Sequence, residues 1–301
     1  MTGRRIRPEE MIKSSKRKKR FPVAAVLLAA ALIAAVFLFL ERMEPPDDAV
    51  PRKPGRTEPR AKAVKPKTRV KQTREAEPGG QRVAVLIDDI GFDLGAAEEL
   101  ARLKAPIAFA ILPHAPHAAA AADLLHAAGK EILLHLPMEP ASYPEENPGP
   151  GALLIAMEAG EVRRKIAENL AAVPHVSGVN NHMGSRFMED ETRLRVVMDE
   201  LAKRGLFFVD SRTTPDSRGW EAAERARVRF ASRTVFIDHT ANYQDALANL
   251  TRFPRQGSKP VLMIGHPRPE TIRALRDALP VWHAQGVRVV PVSACLGMNG
   301  G

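Results

Sequence analysis

The sequence is poor in cysteine and lacks the glycine motifs of nucleotide-binding proteins. Cys295 is the single cysteine among 301 residues. This excludes an intramolecular disulfide framework and a cysteine-based metal site. Gly91 and Gly95 follow the apolar run 83–87, but these two glycines alone make neither a P-loop nor a dinucleotide-binding turn.

An excess of positive charge is also missing from residues 83–301, the part of the chain that can fold. The formal net charge is +10, but residues 1–82 carry a surplus of +12, which leaves −2 for the other 219 residues. A nucleic-acid-binding module is expected to carry its basic patch in the folded part. We therefore predict no nucleic-acid partner and interpret the basic region as a solvated segment. Contact with anionic lipid or wall polymer is the alternative.

The first 82 residues divide into three segments by composition. Residues 1–20 hold nine Lys or Arg and predict a basic cytoplasmic tail. Residues 21–40 carry no charge, and about 20 apolar residues span a bilayer core, so they predict a transmembrane anchor. A cleaved signal peptide is the alternative, although its apolar region is typically about 7 to 15 residues. Residues 41–82 are rich in Pro, Lys and Arg and predict a disordered linker.

The charge flanking the apolar segment predicts the orientation of the chain. Basic residues precede residues 21–40, and a more mixed flank follows them. Because basic flanks stay in the cytoplasm, we expect a single-pass protein of the bacterial inner membrane with its C-terminal domain in the periplasm. An envelope protein partner is possible for a domain carried on such a linker.

Residues 83–301 predict one α/β domain. Eight short apolar runs alternate with six amphipathic or alanine-rich stretches, which is the pattern of a parallel sheet covered by helices. Glycines that follow a predicted helix and precede a predicted strand are expected to end the helix in the left-handed conformation. These glycines are Gly129, Gly205 and Gly286.

Polar residues at the strand ends distinguish between two architectures that share this alternation. An open doubly wound sheet concentrates its site at one switch point, whereas a barrel collects residues from the carboxyl ends of many strands. Seven strand ends are polar, so we predict a (β/α) barrel of about seven parallel strands. These ends are Asp88-Asp89, Pro113-His114, His135, Asn181-His182, Asp210, Asp238-His239 and His266.

The aspartate pair and the strand-end histidines predict a metal site. Asp88 and Asp89 stand where the apolar run 83–87 opens into a loop. Carboxylate oxygen and imidazole nitrogen are the ligands of catalytic zinc, and they also suit iron, cobalt or nickel. One aspartate could hold the metal while the other accepts a proton from water.

Four segments of the domain resemble a known family. They are VAVLIDDIG, GKEILLHLPMEP, GVNNHMGSRFMED and PVLMIGHPRPETIRAL, in that order. They resemble the divergent polysaccharide deacetylase family, a branch of the NodB-homology deacetylases of carbohydrate esterase family 4. The resemblance covers residues 83–296. It implies a NodB-like barrel that removes acetyl groups from an amino sugar in a cell-envelope polymer.

The resemblance also implies roles for single residues. Asp88 corresponds to the catalytic base, Asp89 to a metal ligand and His266 to the general acid. The family's second motif is a pair of histidines four residues apart, and here His135 matches the first of them. Glu139 stands at the second position.

That departure leaves the third metal ligand open. We expect His182 to replace the missing histidine, with Glu139 as the alternative, and we expect the divalent metal to be zinc. Asn181, Ser185, Arg186 and Asp210 are expected to hold the sugar or to orient the ligands, and Arg186 is the candidate for orienting the base.

Two features favour other functions for the same fold. Aromatic residues make up only 5% of the chain, which leaves few platforms for stacking sugar rings. The altered motifs leave open a catalytically degenerate protein that binds glycan or a wall-remodelling partner. A hydrolase of a different amide or ester is the third possibility.

Overall fold

The computed structural model describes residues 80–253 and 259–297, where strands and helices alternate as the sequence predicts. The strands are β1 (Arg82–Ile90), β2 (Ala108–Ile111), β3 (Glu131–Met138), β4 (Val176–Met183), β5 (Phe207–Asp210), β6 (Phe230–Ser232), β7 (Val235–Phe236), β8 (Val261–Gly265) and β9 (Arg288–Val289). The helices are α1 (Leu94–Ala101), α2 (Ala118–Ala127), α3 (Ala159–Ala172), α4 (Glu191–Lys203), α5 (Gly219–Ala226), α6 (Tyr243–Thr251) and α7 (Pro269–Ala284).

All named strands pair in parallel, but they do not close into the predicted barrel of about seven strands. The sheet runs β6-β5-β4-β3-β2-β1-β8-β7, with β9 paired to β1. Its two edges, β6 and β7, are consecutive in the chain and are not paired. Parallel neighbours need a crossover of a dozen or more residues, and only residues 233–234 separate these two strands. Within the described residues the sheet is therefore an open half-barrel.

The predicted N-terminal segments fall outside the residues that the structure describes. This applies to the tail 1–20, to the predicted span 21–40 and to nearly all of the linker 41–82. In residues 80–253 and 259–297, every helix is too short or too polar to cross a membrane.

Side chains of the sheet alternate between two hydrophobic clusters. The larger cluster contains Val83, Val85 and Ile87 of β1 together with apolar residues of the helices. The smaller one contains Ala84 and Leu86 of β1 and lines the concave face of the sheet. Small residues leave room on that face, and the large ring of Phe207 in β5 fills it. Its other fully or nearly buried members are Ala108, Ala110, Leu133, Phe207, Val209, Leu262, Ile264 and Val292.

The same alternation carries polar side chains onto the concave face at the carboxyl ends of the strands. Asp88 follows Ala84 and Leu86 by steps of two, and His135 follows Leu133. His266 follows Ile264 in the same way, and Asn180 follows Gly178. The period of two therefore places these residues above the apolar interior.

Candidate active site

The polar residues meet in a cavity of about 420 Å³ at the carboxyl ends of the strands. Asp88, His135, His182 and His266 line it, and they come from or directly follow β1, β3, β4 and β8. Asp88 and His135 are almost fully buried, with exposed fractions of 3% and 2%. Four separate strands thus deliver titratable groups to one point.

A bulge in β1 turns both aspartates toward this point. The pairing of β1 with β2 shifts register between Ile87 and Ile90, and Asp89 has a φ of 57°. Regular alternation would send Asp88 and Asp89 to opposite faces. The bulge instead brings Asp88 Oδ2 within 3.8 Å and Asp89 Oδ1 within 3.2 Å of the same atom, His135 Nε2. A left-handed residue other than glycine is uncommon and is typical of functional sites.

Asp89, His135 and His182 form a cluster that could hold a metal ion. Asp89 Oδ1 lies 3.2 Å from His135 Nε2 and 3.1 Å from His182 Nδ1. The two imidazole nitrogens are themselves 3.1 Å apart. One ligand atom from each residue therefore occupies a corner of a nearly equilateral triangle.

The spacing of this triangle fits a divalent transition metal. Zinc bonds of about 2.0–2.2 Å at angles of roughly 90–110° place neighbouring ligand atoms about 3 Å apart. Asp89 Oδ1 is buried and has no hydrogen-bond partner in the described structure. An orphaned carboxylate oxygen facing two imidazole nitrogens matches the ligand set of a catalytic zinc site. Glu139 lies outside this cluster.

Asn180 supports both the cluster and Asp88. Its amide oxygen lies 2.9 Å from His135 Nδ1, and its Nδ2 donates to Asp88 Oδ1 over 2.8 Å. Because an amide oxygen only accepts, His135 Nδ1 carries the proton, and in the neutral ring Nε2 is left free to bind a metal. Sequence reasoning selected the neighbouring Asn181 and missed Asn180. The signal was available in the strand parity, since residues 178, 180 and 182 share the concave face.

Burial and neighbouring charges shift the protonation of these groups in opposite directions. Burial raises the pKa of Asp88, although His135 and His266 act against this shift. Burial also opposes the charge on Asp89, but the two imidazoles hold its pKa well below the ordinary range. For His135, burial is outweighed by the charges of Asp88 and Asp89, which raise its pKa to about 9.

His266 is held by a second carboxylate. Its Nδ1 lies 2.9 Å from Asp238 Oδ1, and its Nε2 lies 3.8 Å from Asp89 Oδ2. The backbone N–H of His266 and the hydroxyl of Thr271 both donate to Asp238 Oδ2. Although burial acts in the opposite direction, the contact with Asp238 raises the pKa of His266. Asp238 thus orients His266 and does not act as a pair with the adjacent His239.

Glu139 and Arg186 form an ion pair with each other. Glu139 Oε1 lies 3.1 Å from Arg186 Nη1, and Oε2 accepts the backbone N–H of Ile155 over 2.7 Å. In this structure Arg186 pairs with Glu139, and its role in orienting the base stays a prediction. Ser185 accepts the backbone N–H of Ala141. These three residues fix the segment between β3 and α3.

Asn181 and Asp210 stabilise the segment that follows β5. Asn181 Oδ1 accepts the backbone N–H of Ser211 over 2.9 Å. Asp210 accepts the backbone N–H of Arg212 and the hydroxyl of Ser217. Asn181 also lines the cavity. Asp210 affects the cavity indirectly, because its hydrogen bonds fix the segment from Arg212 to Ser217.

The wall opposite the metal cluster contains residues that sequence reasoning missed. Arg212, Arg233 and Phe236 line the cavity together with His239. Arg233 lies between β6 and β7, and its charge acts on Asp88. Nothing in its sequence pattern pointed to the site, because the half-barrel edge that carries it is defined by tertiary pairing.

Comparison with known proteins identifies relatives of the whole domain. Residues 85–296 match the family model described as divergent polysaccharide deacetylase. An uncharacterized protein of Escherichia coli K12, YibQ, is 34% identical over 201 residues, which cover 65% of this chain and 61% of the relative. An uncharacterized protein of Haemophilus influenzae is 33% identical over 202 residues, 66% of this chain and 71% of the relative. The match to the E. coli relative thus spans less than two thirds of its length.

A solved structure shows a similar fold. It is the crystal structure of the uncharacterized protein ATU2773 from Agrobacterium tumefaciens C58, with a TM-score of 0.68 and 26% sequence identity. The similarity covers 71% of this chain and 89% of that protein.

Proposed function

Since the chain belongs to the divergent polysaccharide deacetylase family, we propose that it is a metal-dependent hydrolase that removes N-acetyl groups from an amino sugar of a cell-envelope polymer. One observation carries the proposal. An orphaned carboxylate oxygen and two imidazole nitrogens form a metal-sized triangle beside a buried second carboxylate, Asp88. Metal-assisted hydrolysis of an amide uses a Lewis acid to polarise the acyl oxygen and a nearby proton acceptor to activate water.

Asp89, His135 and His182 would hold the metal. A divalent ion there would polarise an acyl oxygen and acidify a water molecule. Nitrogen and oxygen ligands with no sulfur suit zinc, and we propose zinc as the resident ion. Asn180 keeps His135 in the tautomer that such a site requires.

Asp88 would act as the general base. It lies 3.8 Å from the metal-facing nitrogen of His135, and the amide of Asn180 fixes one of its oxygens. The other oxygen remains available to take the proton of an attacking water. General-base catalysis of this kind typically contributes about 10²–10⁴-fold in rate.

His266 would act as the general acid. An amide nitrogen leaves poorly unless it gains a proton, and His266 Nε2 faces Asp89 across 3.8 Å. Asp238 binds Nδ1 and thereby aims Nε2 at the cavity. The acid and the base thus approach the reacting amide from different strands, β8 and β1.

Acetate release from N-acetylated oligosaccharides by the full-length, zinc-loaded chain tests this function. Asp88→Asn should lower kcat by about 10²–10⁴-fold and retain the metal, because Asp88 is not one of the three ligands. Asp199→Asn on α4 is the matched control and should leave kcat unchanged, since it lies outside the cavity.

Two results would count against a hydrolase. Metal bound without acetate release from any N-acetylated sugar would support the alternative, a glycan-binding member of the same fold. Failure to bind zinc, cobalt, nickel or iron would exclude both the metal-dependent deacetylase and a metal-dependent hydrolase of a different amide or ester.

We also propose that residues 21–40 anchor the chain in the inner membrane and that the domain works in the periplasm. The uncharged segment behind nine basic residues supports this orientation. An alkaline phosphatase reporter fused after residue 80 should be active, because that enzyme needs an oxidising compartment for its disulfides. Activity of a β-galactosidase fusion at the same site would contradict the proposal.

A further inference from the structure

Two arginines face the cavity from the wall opposite the metal cluster. Arg212 lies on the segment after β5, and Arg233 lies on the two-residue link between β6 and β7. The Arg212 side chain is exposed, and Arg233 is half-buried. Amide hydrolysis as proposed above assigns no role to Arg212.

Neither guanidinium group is paired with a carboxylate. Among the residues that the structure describes, no carboxylate oxygen lies within 4.0 Å of either one. Arg233 instead donates from Nε to the carbonyl of Ser211 over 2.7 Å and from Nη2 to the carbonyl of Arg212 over 3.0 Å. Asp210 lies near both arginines, but its oxygens accept from the backbone of Arg212 and from Ser217.

The backbone holds Arg212 in this position. Its φ is 51°, a left-handed conformation that non-glycine residues seldom adopt. Asp210 binds its N–H over 2.7 Å, and Arg233 binds its carbonyl. The Arg233 guanidinium lies 4.7 Å from the centre of the Phe236 ring, which fixes it against the cavity wall. These contacts hold the Arg212 backbone and the Arg233 guanidinium group next to each other at the cavity wall.

No ion pair within the described residues neutralises these two arginines, although the charges of Asp210 and Asp88 act on Arg233. Asp88 is the one acidic residue among the described residues that line it. Together with Asp89 it supplies two negative charges, which a divalent ion would balance. An acetamide is neutral and needs no cationic wall. A guanidinium group, in contrast, presents a planar fork that suits a carboxylate or a phosphate.

We infer that Arg212 and Arg233 form a subsite for an oxyanion, a carboxylate or a phosphate, carried by the amino sugar whose acetamide reaches Asp88. The site would then select acidic N-acetyl amino sugars over neutral ones. The identity of the acetamide as the reacting group rests on the proposed function, whereas anion binding by the two arginines does not.

Binding of three related sugars tests the subsite. The zinc-loaded Asp88→Asn chain avoids turnover, and its affinity is measured by calorimetry. N-acetylmuramic acid and N-acetylglucosamine differ by one lactyl carboxylate, and N-acetylglucosamine 1-phosphate supplies the phosphate. At least one acidic sugar should bind roughly tenfold more tightly than the neutral sugar, as expected for a charge-assisted contact. The preference should fall as salt is added.

Arg212→Gln in the same background should remove most of this preference. The Arg212 side chain makes no hydrogen bond or ion pair within the described residues, so its replacement should leave the fold intact, which circular dichroism checks. Arg195→Gln on α4 removes the same charge from an exposed position and should leave the preference unchanged. Equal affinities for the acidic and neutral sugars, or a preference that survives Arg212→Gln, would overturn the inference.

Acetate release separates this inference from the proposed function. If the function fails, no sugar is hydrolysed, but the anion preference in binding persists. If the inference fails, the neutral and acidic sugars are hydrolysed with equal kcat/KM. Arg212→Gln then changes kcat/KM for both sugars to the same extent.

Discussion

At the scale of single residues, strand parity and the bulge in β1 decide which side chains face the site. The predicted residues Asp88, Asp89, His135, His182 and His266 all lie together. The sequence could indicate them because polar residues at the ends of apolar runs are unusual. The sequence interpretation selected Asn181 and missed Asn180, although the strand parity that Asn180 shares with His182 indicated the face of the site.

The third metal ligand provides a test at this scale. His182→Ala removes one corner of the triangle, and we expect zinc affinity to fall by more than the roughly 10–100-fold typical of residues that only support a ligand. Glu139→Ala should have a much smaller effect, since Glu139 binds Arg186 and the Ile155 backbone. Competition with a chromophoric chelator measures both affinities. A larger loss of zinc affinity for Glu139→Ala than for His182→Ala would make Glu139 the third metal ligand in place of His182.

At the scale of elements, the regular alternation was predictable and the short edge elements were not. Gly129, Gly205 and Gly286 end helices with φ of 72°, 67° and 74°, as predicted from their position before a strand. β6 and α5 were missed. β6 has only three residues, and the sequence predicted a strand only from Val235 onward. α5 follows a polar segment containing Pro215 and begins at a glycine, and such a pattern is more typical of a loop.

These missed elements matter because they build the wall opposite the metal cluster. Arg233 follows β6 directly, and its contacts with the Ser211 and Arg212 carbonyls connect the edge of the half-barrel to the segment after β5. In a strand that continued from β6 into β7, Arg233 would lie within a regular ladder. The short link instead releases its side chain toward the cavity.

At the scale of the whole molecule, the last described segment completes the interior beneath the site. The edges β6 and β7 are not paired, and the backbone of Gly297 forms an antiparallel bridge with Phe230 in β6. The adjacent 3₁₀ turn, Val292–Cys295, places Val292 against the concave face. The predicted barrel is therefore present only as an open half-barrel of parallel strands. Contacts between the last described segment and β6, which the alternation pattern does not encode, lie at the β6 edge.

Val292→Ala tests this arrangement against Val281→Ala, the same substitution at an exposed position. Val292 has an exposed fraction of 0%, whereas Val281 on α7 is 41% exposed. Loss of two buried methyl groups should lower the free energy of unfolding by about 1–3 kcal/mol. The exposed substitution should change it by less than about 0.5 kcal/mol. Urea unfolding of the full-length chain, followed by circular dichroism, measures both. Equal destabilisation by the two substitutions would show that Val292 does not close the interior.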